Sequence, residues 1–139
     1  MKVVISGDDL GDFMDRTRIA LDGALANTLN LQQGKLAKAC PKDTGRMASS
    51  FFVGYNAPNQ NVRPEGWGQP GEKRLEIEKY DKKIAFNGNW YISNSVPYAE
   101  YVAFNYKPAA NNAQKDWYTS VANQTGNVFI NQFRKLRPR

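Results

Sequence analysis

Between Asp8 and Ala39 the chain carries no proline, and the run then stops at Cys40-Pro41. No other feature constrains the fold as much, because apolar residues inside this stretch recur at helical spacing. Leu10, Phe13, Met14, Thr17, Leu21, Ala24, Thr28, Leu31 and Leu36 follow one another mostly at three and four, which gathers them towards one face. Asp8 or Asp9 can cap the first turn, Asp12 and Asp15 sit where the helix dipole favours negative charge, and Lys35 and Lys38 sit at the opposite end. Gly11, Gly23 and Gly34 each weaken the helix by up to about 1 kcal/mol relative to alanine, so it has to lean on something else. Pro41 ends it, since the residue before a proline is steered out of helical geometry.

Past Pro41 the chain reads as a joint and then a sheet. In "CPKDTGRMASSFFVGYN", residues 40–56, Asp43 or Thr44 can offer a side-chain oxygen to a turn starting near Arg46, and Gly45 permits a backbone angle other residues resist. Phe51, Val53 and Tyr55 then alternate as in a half-buried strand. Residues 56–73 form a long loop rich in proline and glycine, in which Arg63 and Trp67 are candidates for contact with a partner, or Trp67 for folding back on the body. "RLEIEKY", "KKIAFNG" and "WYISNS" alternate in turn, so with "SFFVGY" they predict an antiparallel sheet of about four strands, polar on one side. "VPYAEYVAFNY" reads as a short helix, the segment from Tyr106 as a second loop, and Ala113 to about Leu136 as a closing helix. Trp117, Val121, Val128, Phe129 and Phe133 are its anchors, with a break at Gly126. The expected architecture is a single α+β domain over residues 1–139, two-layer, with the first and last helices across the dry face of the sheet.

Several chemistries are excluded or unsupported. The chain has no histidine, which removes imidazole-based triads and zinc sites that need His. Cys40 is the only cysteine, so no internal disulfide can form; it reads as a packed thiol of a protein that folds in a reducing compartment. There is no glycine loop to cradle phosphate and no calcium-loop spacing, and no cofactor is expected. The five-residue apolar run near the amino terminus is too short for a signal peptide, and nothing approaches the roughly 18 apolar residues of a membrane span. A soluble, unexported protein without membrane contact is the expectation.

The net charge of +6 is concentrated: Arg134, Lys135, Arg137 and Arg139 supply four of those charges, leaving +2 for the rest. This basic tail over 134–139 reads as a solvated terminus, or as a non-specific phosphate contact on DNA through counterion release. Asp43-Thr44-Gly45 matches the tripeptide of aspartic proteases, but such a site needs a second carboxylate, and here Lys42 and Arg46 flank the aspartate. A structural joint accounts for more of these residues. Glu76 and Glu78 read as the solvent side of a strand.

Two stretches taken together carry a resemblance. "CPKDTGRMASSF" resembles the motif A-P-x-D-T-G-x-L-x-x-S, and "YISNSVPYAEYVAFN" resembles V-x-N-x-x-P-Y-A-x-x-V-E-x-G, of the tail-completion or head-tail joining proteins of long-tailed bacteriophages. The matched positions are Pro41, Asp43, Thr44, Gly45, Met47 in place of Leu, and Ser50, then Asn94, Pro97, Tyr98, Ala99 and Val102. Cys40 stands where the family usually has Ala, and Ala103-Phe104-Asn105 where it tends to have E-x-G. The resemblance implies a non-enzymatic virion protein of the neck or tail end, made in the host bacterial cytoplasm. It further implies a ring of identical copies, a hexamer, that meets the head-tail connector and the tail terminator or tail-tube proteins. The aromatic stretch Pro97–Tyr106 can then supply anchors at a subunit interface, Tyr101, Phe104 and Tyr106 being the candidates, while Tyr98, Tyr101 and Phe104 have a second reading as part of the subunit's own core.

Overall fold

A computed structural model describes Val3 and residues 7–105 and 116–139. The segment from Tyr106 into the start of the expected closing helix lies outside these residues. The described elements, in order, are helix α1 (Gly7–Ala39), strand β1 (Phe51–Tyr55), strand β2 (Trp90–Asn94), helix α2 (Trp117–Ala122) and helix α3 (Thr125–Leu136). A single tight turn, Ala48–Ser50, precedes β1, and a wide π-type turn, Tyr101–Asn105, comes after β2. The domain is α+β, as expected. No helix among the described residues is long and apolar enough to cross a membrane.

Helix α1 is the long rod expected from the absence of proline, and its last two thirds carry the domain. Ala20, Ala24, Thr28, Leu29, Gln32, Gln33, Leu36 and Ala37 are buried. Helix α3 lies antiparallel along it: Thr125 Oγ1 meets Gln32, Gln132 pairs with Asn27, and Leu136 rests on Gly23. The closing helix breaks at Asn123-Gln124 rather than at Gly126, which lies inside α3. The buried Gln32 amide donates to the Val121 carbonyl and to Thr125 Oγ1, so α1 itself supplies a polar partner at the break.

The sheet has two strands among the described residues, not about four. β1 and β2 pair antiparallel, with Phe51 opposite Asn94 and Tyr55 opposite Trp90. "RLEIEKY" and "KKIAFNG" form no ladder. The first of these runs extended, but its polar backbone groups are bound largely by side chains. Ser49 Oγ donates to the Arg74 carbonyl and accepts from the Glu76 amide, Gln33 donates to the Glu78 carbonyl, and Arg63 to the Glu76 carbonyl. A segment satisfied in this way has no need of a neighbouring strand. Glu76 and Glu78 do face solvent. Nor does β1 have one dry face and one wet one: Phe51, Phe52, Val53 and Gly54 are all buried. The Arg63 guanidinium lies 5.4 Å from the centre of the Phe52 ring.

The core sits where the end of α1, the joint and α2 converge. Trp117 is fully buried among Leu36, Ala37, Cys40, Met47, Ala48, Phe51 and Val96, with its ring edge-on to Phe51 at 6.1 Å. Its indole N–H donates to the Val102 carbonyl at 3.3 Å, tying the last helices to the π-type turn.

Candidate functional site

The joint begins where α1 runs out of hydrogen-bond partners. Lys42 Nζ turns back and donates to the carbonyls of Lys38 and Cys40, at 2.7 and 2.8 Å, occupying two of the orphan acceptors at the helix end. Cys40 is buried just beneath. Burial pushes its thiol up to about 12, against the smaller opposing pull of Lys42, so the thiolate needed for nucleophilic chemistry is suppressed. Burial also lowers the Lys42 ammonium, with Cys40 acting to raise it and the neighbouring Lys73 to lower it.

Thr44 Oγ1 accepts from the Arg46 amide at 3.2 Å, the local turn the sequence predicts. Asp43 does something different: its Oδ1 accepts from the amide of Gly71, 28 residues downstream, at 2.6 Å. The carbonyls of Asp43 and Thr44 accept from Lys73 and Arg74. The aspartate is therefore an exposed clip holding the far end of the long loop against the joint. Gly45 takes φ +88°, and a side chain there would collide with the Arg74 carbonyl. Gly68, at φ +67°, packs as closely on the Thr44 carbonyl. Glycine is needed at both positions by backbone angle and by space.

Ser50, Arg63 and Trp67 complete the clamp. Ser50 Oγ donates to the Arg46 carbonyl and accepts from the Arg63 amide; Arg46 Nε donates to the Arg63 carbonyl, and Arg63 Nε to Ser49. Trp67 is buried between two guanidiniums, Arg74 at 3.6 Å and Arg63 at 4.8 Å from ring centre, and donates to the Arg74 carbonyl. Of the two readings open for Trp67, folding back on the body is the one observed. The ring is held inside the subunit rather than offered to a partner.

The second motif arrives at the same place. Asn94 ends β2 by donating to the Met47 carbonyl at 2.7 Å and accepting from the Val96 amide. Val96 is buried, Ala99 packs on the core, and the π-type turn returns past the joint. Pro41, Asp43, Thr44, Gly45, Arg46 and Met47 on one side, with Tyr98 and Val102 on the other, line an open hollow of about 360 Å³. Tyr98, Tyr101 and Phe104 are 41, 61 and 63% exposed, so these rings stand at the surface instead of completing the core. Phe104 leans edge-on against Tyr118 at 5.5 Å. Tyr106 is outside the described residues.

Arg134 and Lys135 belong to the last turn of α3, and Arg137 and Arg139 lie just beyond it, all four exposed. They lie at the far end of the molecule from the hollow, anchored to α1 by Leu136 and Pro138 beside Ile19, Ala20 and Gly23. The residues that sequence reasoning missed are Lys42, Ser49, Lys73 and Arg74. Each acts through a bond to a distant or local backbone group, and only the basic character of Lys42 at a helix end gave any signal.

No family model matches the chain, and neither a curated protein nor a solved structure proves similar to it.

Proposed function

We propose that this chain is a non-enzymatic structural protein of a bacteriophage neck or tail end, a ring component that joins the head connector to the tail. The observation that carries the reading is convergence. The two stretches that resemble the tail-completion family lie about fifty residues apart in sequence and line one surface hollow, beside exposed aromatic rings. Residues used for docking need such a placement: a rigid, heavily hydrogen-bonded support under a partly apolar rim. Asp43 fits the same reading, since its carboxylate is engaged by a loop amide and fixes the rim. A hexamer in the virion, touching connector and terminator or tube proteins, is the assembly this proposal carries. Mass spectrometry and electron microscopy of purified particles test it; absence of the protein from the particle ends it.

A second reading has its own observation, the four exposed cations at the end of α3. A non-specific DNA contact there predicts a salt-dependent mobility shift. Replacing Arg134, Lys135, Arg137 and Arg139 by glutamine abolishes that shift if the contact is the tail's, whereas a shift that persists points to a binding surface elsewhere on the domain.

A further inference from the structure

Among the described residues, the first turns of α1 extend past the end of α3. Leu10, Phe13 and Met14 are 53, 50 and 68% exposed, and α3 ends alongside Gly23, with Pro138 near Arg16. Residues 7–15 are a projection of roughly 13 Å. Spacings of three and four place its apolar side chains on one face. The same residues include four aspartates and no lysine or arginine. Among the described residues, Asp12 and Asp15 pair within the helix, with Arg16 and Arg18, both pairs exposed.

The opposite end of α1 has the complementary character. The hollow at the joint has apolar walls from Met47, Val102 and Tyr98; Lys42, Arg46 and the carboxylate of Asp43 also line it, Lys73 is close to Lys42, and Lys38 is exposed in the adjoining last turn of α1. We infer that the free end of α1 seats in this hollow on a second copy of the chain, forming a head-to-tail contact. The two surfaces sit at opposite ends of one helix of 33 residues, roughly 50 Å apart, so a chain cannot satisfy its own hollow. Repeating one such heterologous contact generates a ring or a filament. An acidic, apolar helix end is a poor match for nucleic acid or for an anionic lipid surface; it fits a partly apolar hollow in which Lys42, Arg46 and the nearby Lys73 outnumber the one carboxylate, Asp43. The inference rests on the ring reading above and gives it a specific lateral contact.

The test uses the full chain in two charge-reversed forms, Asp12→Lys with Asp15→Lys, and Lys38→Glu with Lys73→Asp. All four positions are exposed, and circular dichroism checks that both forms keep the fold. Sedimentation of the unmodified chain is expected to show association that weakens with salt. Each reversed form is expected to associate at least tenfold more weakly, and an equimolar mixture of the two to recover, since each free end then meets an oppositely charged hollow. Unchanged association of both forms overturns the contact, as does a mixture that fails to recover. So does a chain that stays monomeric at the highest concentration reached. Loss in the first form alone means that two free ends pair with each other, and overturns it too. Particles that contain the protein while both reversed forms assemble normally sink this contact and leave the neck reading standing; particles without the protein sink the neck reading itself.

Discussion

The two ends of α1 share one periodicity and have opposite fates. Leu10, Phe13 and Met14 are half or more exposed, whereas Ala24, Leu36 and Ala37, further along the rod, are almost completely buried. An apolar stripe records only that a face is suited to burial. Whether it is covered depends on where α3 stops, and α3 stops beside Gly23. The buried end also contains two glutamines, Gln32 and Gln33, whose amide nitrogens brace α2–α3 and β1 while their carbonyl oxygens find no partner among the described groups. The covered end is thus held by polar braces as well as by apolar area, while at the free end Leu10, Phe13 and Met14 keep half or more of their exposure.

Removing the residue that covers the buried end should have the largest effect. Trp117→Ala empties the space over Leu36, Ala37 and Cys40 and breaks the bond to the Val102 carbonyl. The expected loss is about 3–5 kcal/mol in urea unfolding. A loss below about 1 kcal/mol would mean that this end of α1 is not where the domain is anchored.

Gly45→Ala comes next. It forces a side chain into left-handed geometry, worth about 1–3 kcal/mol, and into the Arg74 carbonyl besides. Hydrogen exchange should locate the damage: the amides of Lys73 and Arg74, bonded to Asp43 and Thr44, are expected to exchange faster than those of β1. Equal acceleration everywhere would show that the clamp and the core unfold as one unit.

Legibility in the sequence tracks the range of the interactions. The extent of α1, the stop at Pro41, the need for Gly45 and the two real strands all rest on local rules, and all four appear in the structure. The two false strands fail for a non-local reason. Residues 74–80 and 82–88 alternate properly, but the partners of 74–78 are Ser49, Gln33, Arg63 and the joint carbonyls, from segments that no alternation pattern can bring together. The clip between Asp43 and Gly71 was invisible for the same reason, while the turn at Thr44, spanning two residues, was readable. Of the hollow, the sequence shows both motif stretches but not that they face each other.

Cys40, at the covered end, provides a pH-dependent effect that is absent below the ordinary thiol range. Below the ordinary thiol value of 9.0 both folded and unfolded chains keep the proton, and this group costs no stability. Above it the unfolded chain ionises first, because burial holds the native thiol up to about 12. Stability therefore falls across that window, by about 1.4 kcal/mol per pH unit at most. Other groups titrate there too, so the measurement is the difference between the unmodified chain and Cys40→Ala. A pH-independent difference would mean that the thiol is reached by water in the native state.

The smallest effects belong at the free end, where a near-zero result is informative. Leu10→Ala, Phe13→Ala and Met14→Ala should each change the stability of the dilute monomer by no more than about 0.5 kcal/mol, since each of these side chains keeps half or more of its exposure in the described domain. Burial by another copy would make the same substitutions cost more as protein concentration rises, because association stabilises only the form that can dock. The comparison between the two ends thus becomes a titration: Trp117→Ala costs the same at every concentration, and Phe13→Ala does not. A large, concentration-independent loss at Phe13 would instead show that the chain covers this stripe itself, erasing the distinction between the free end of α1 and the anchored one.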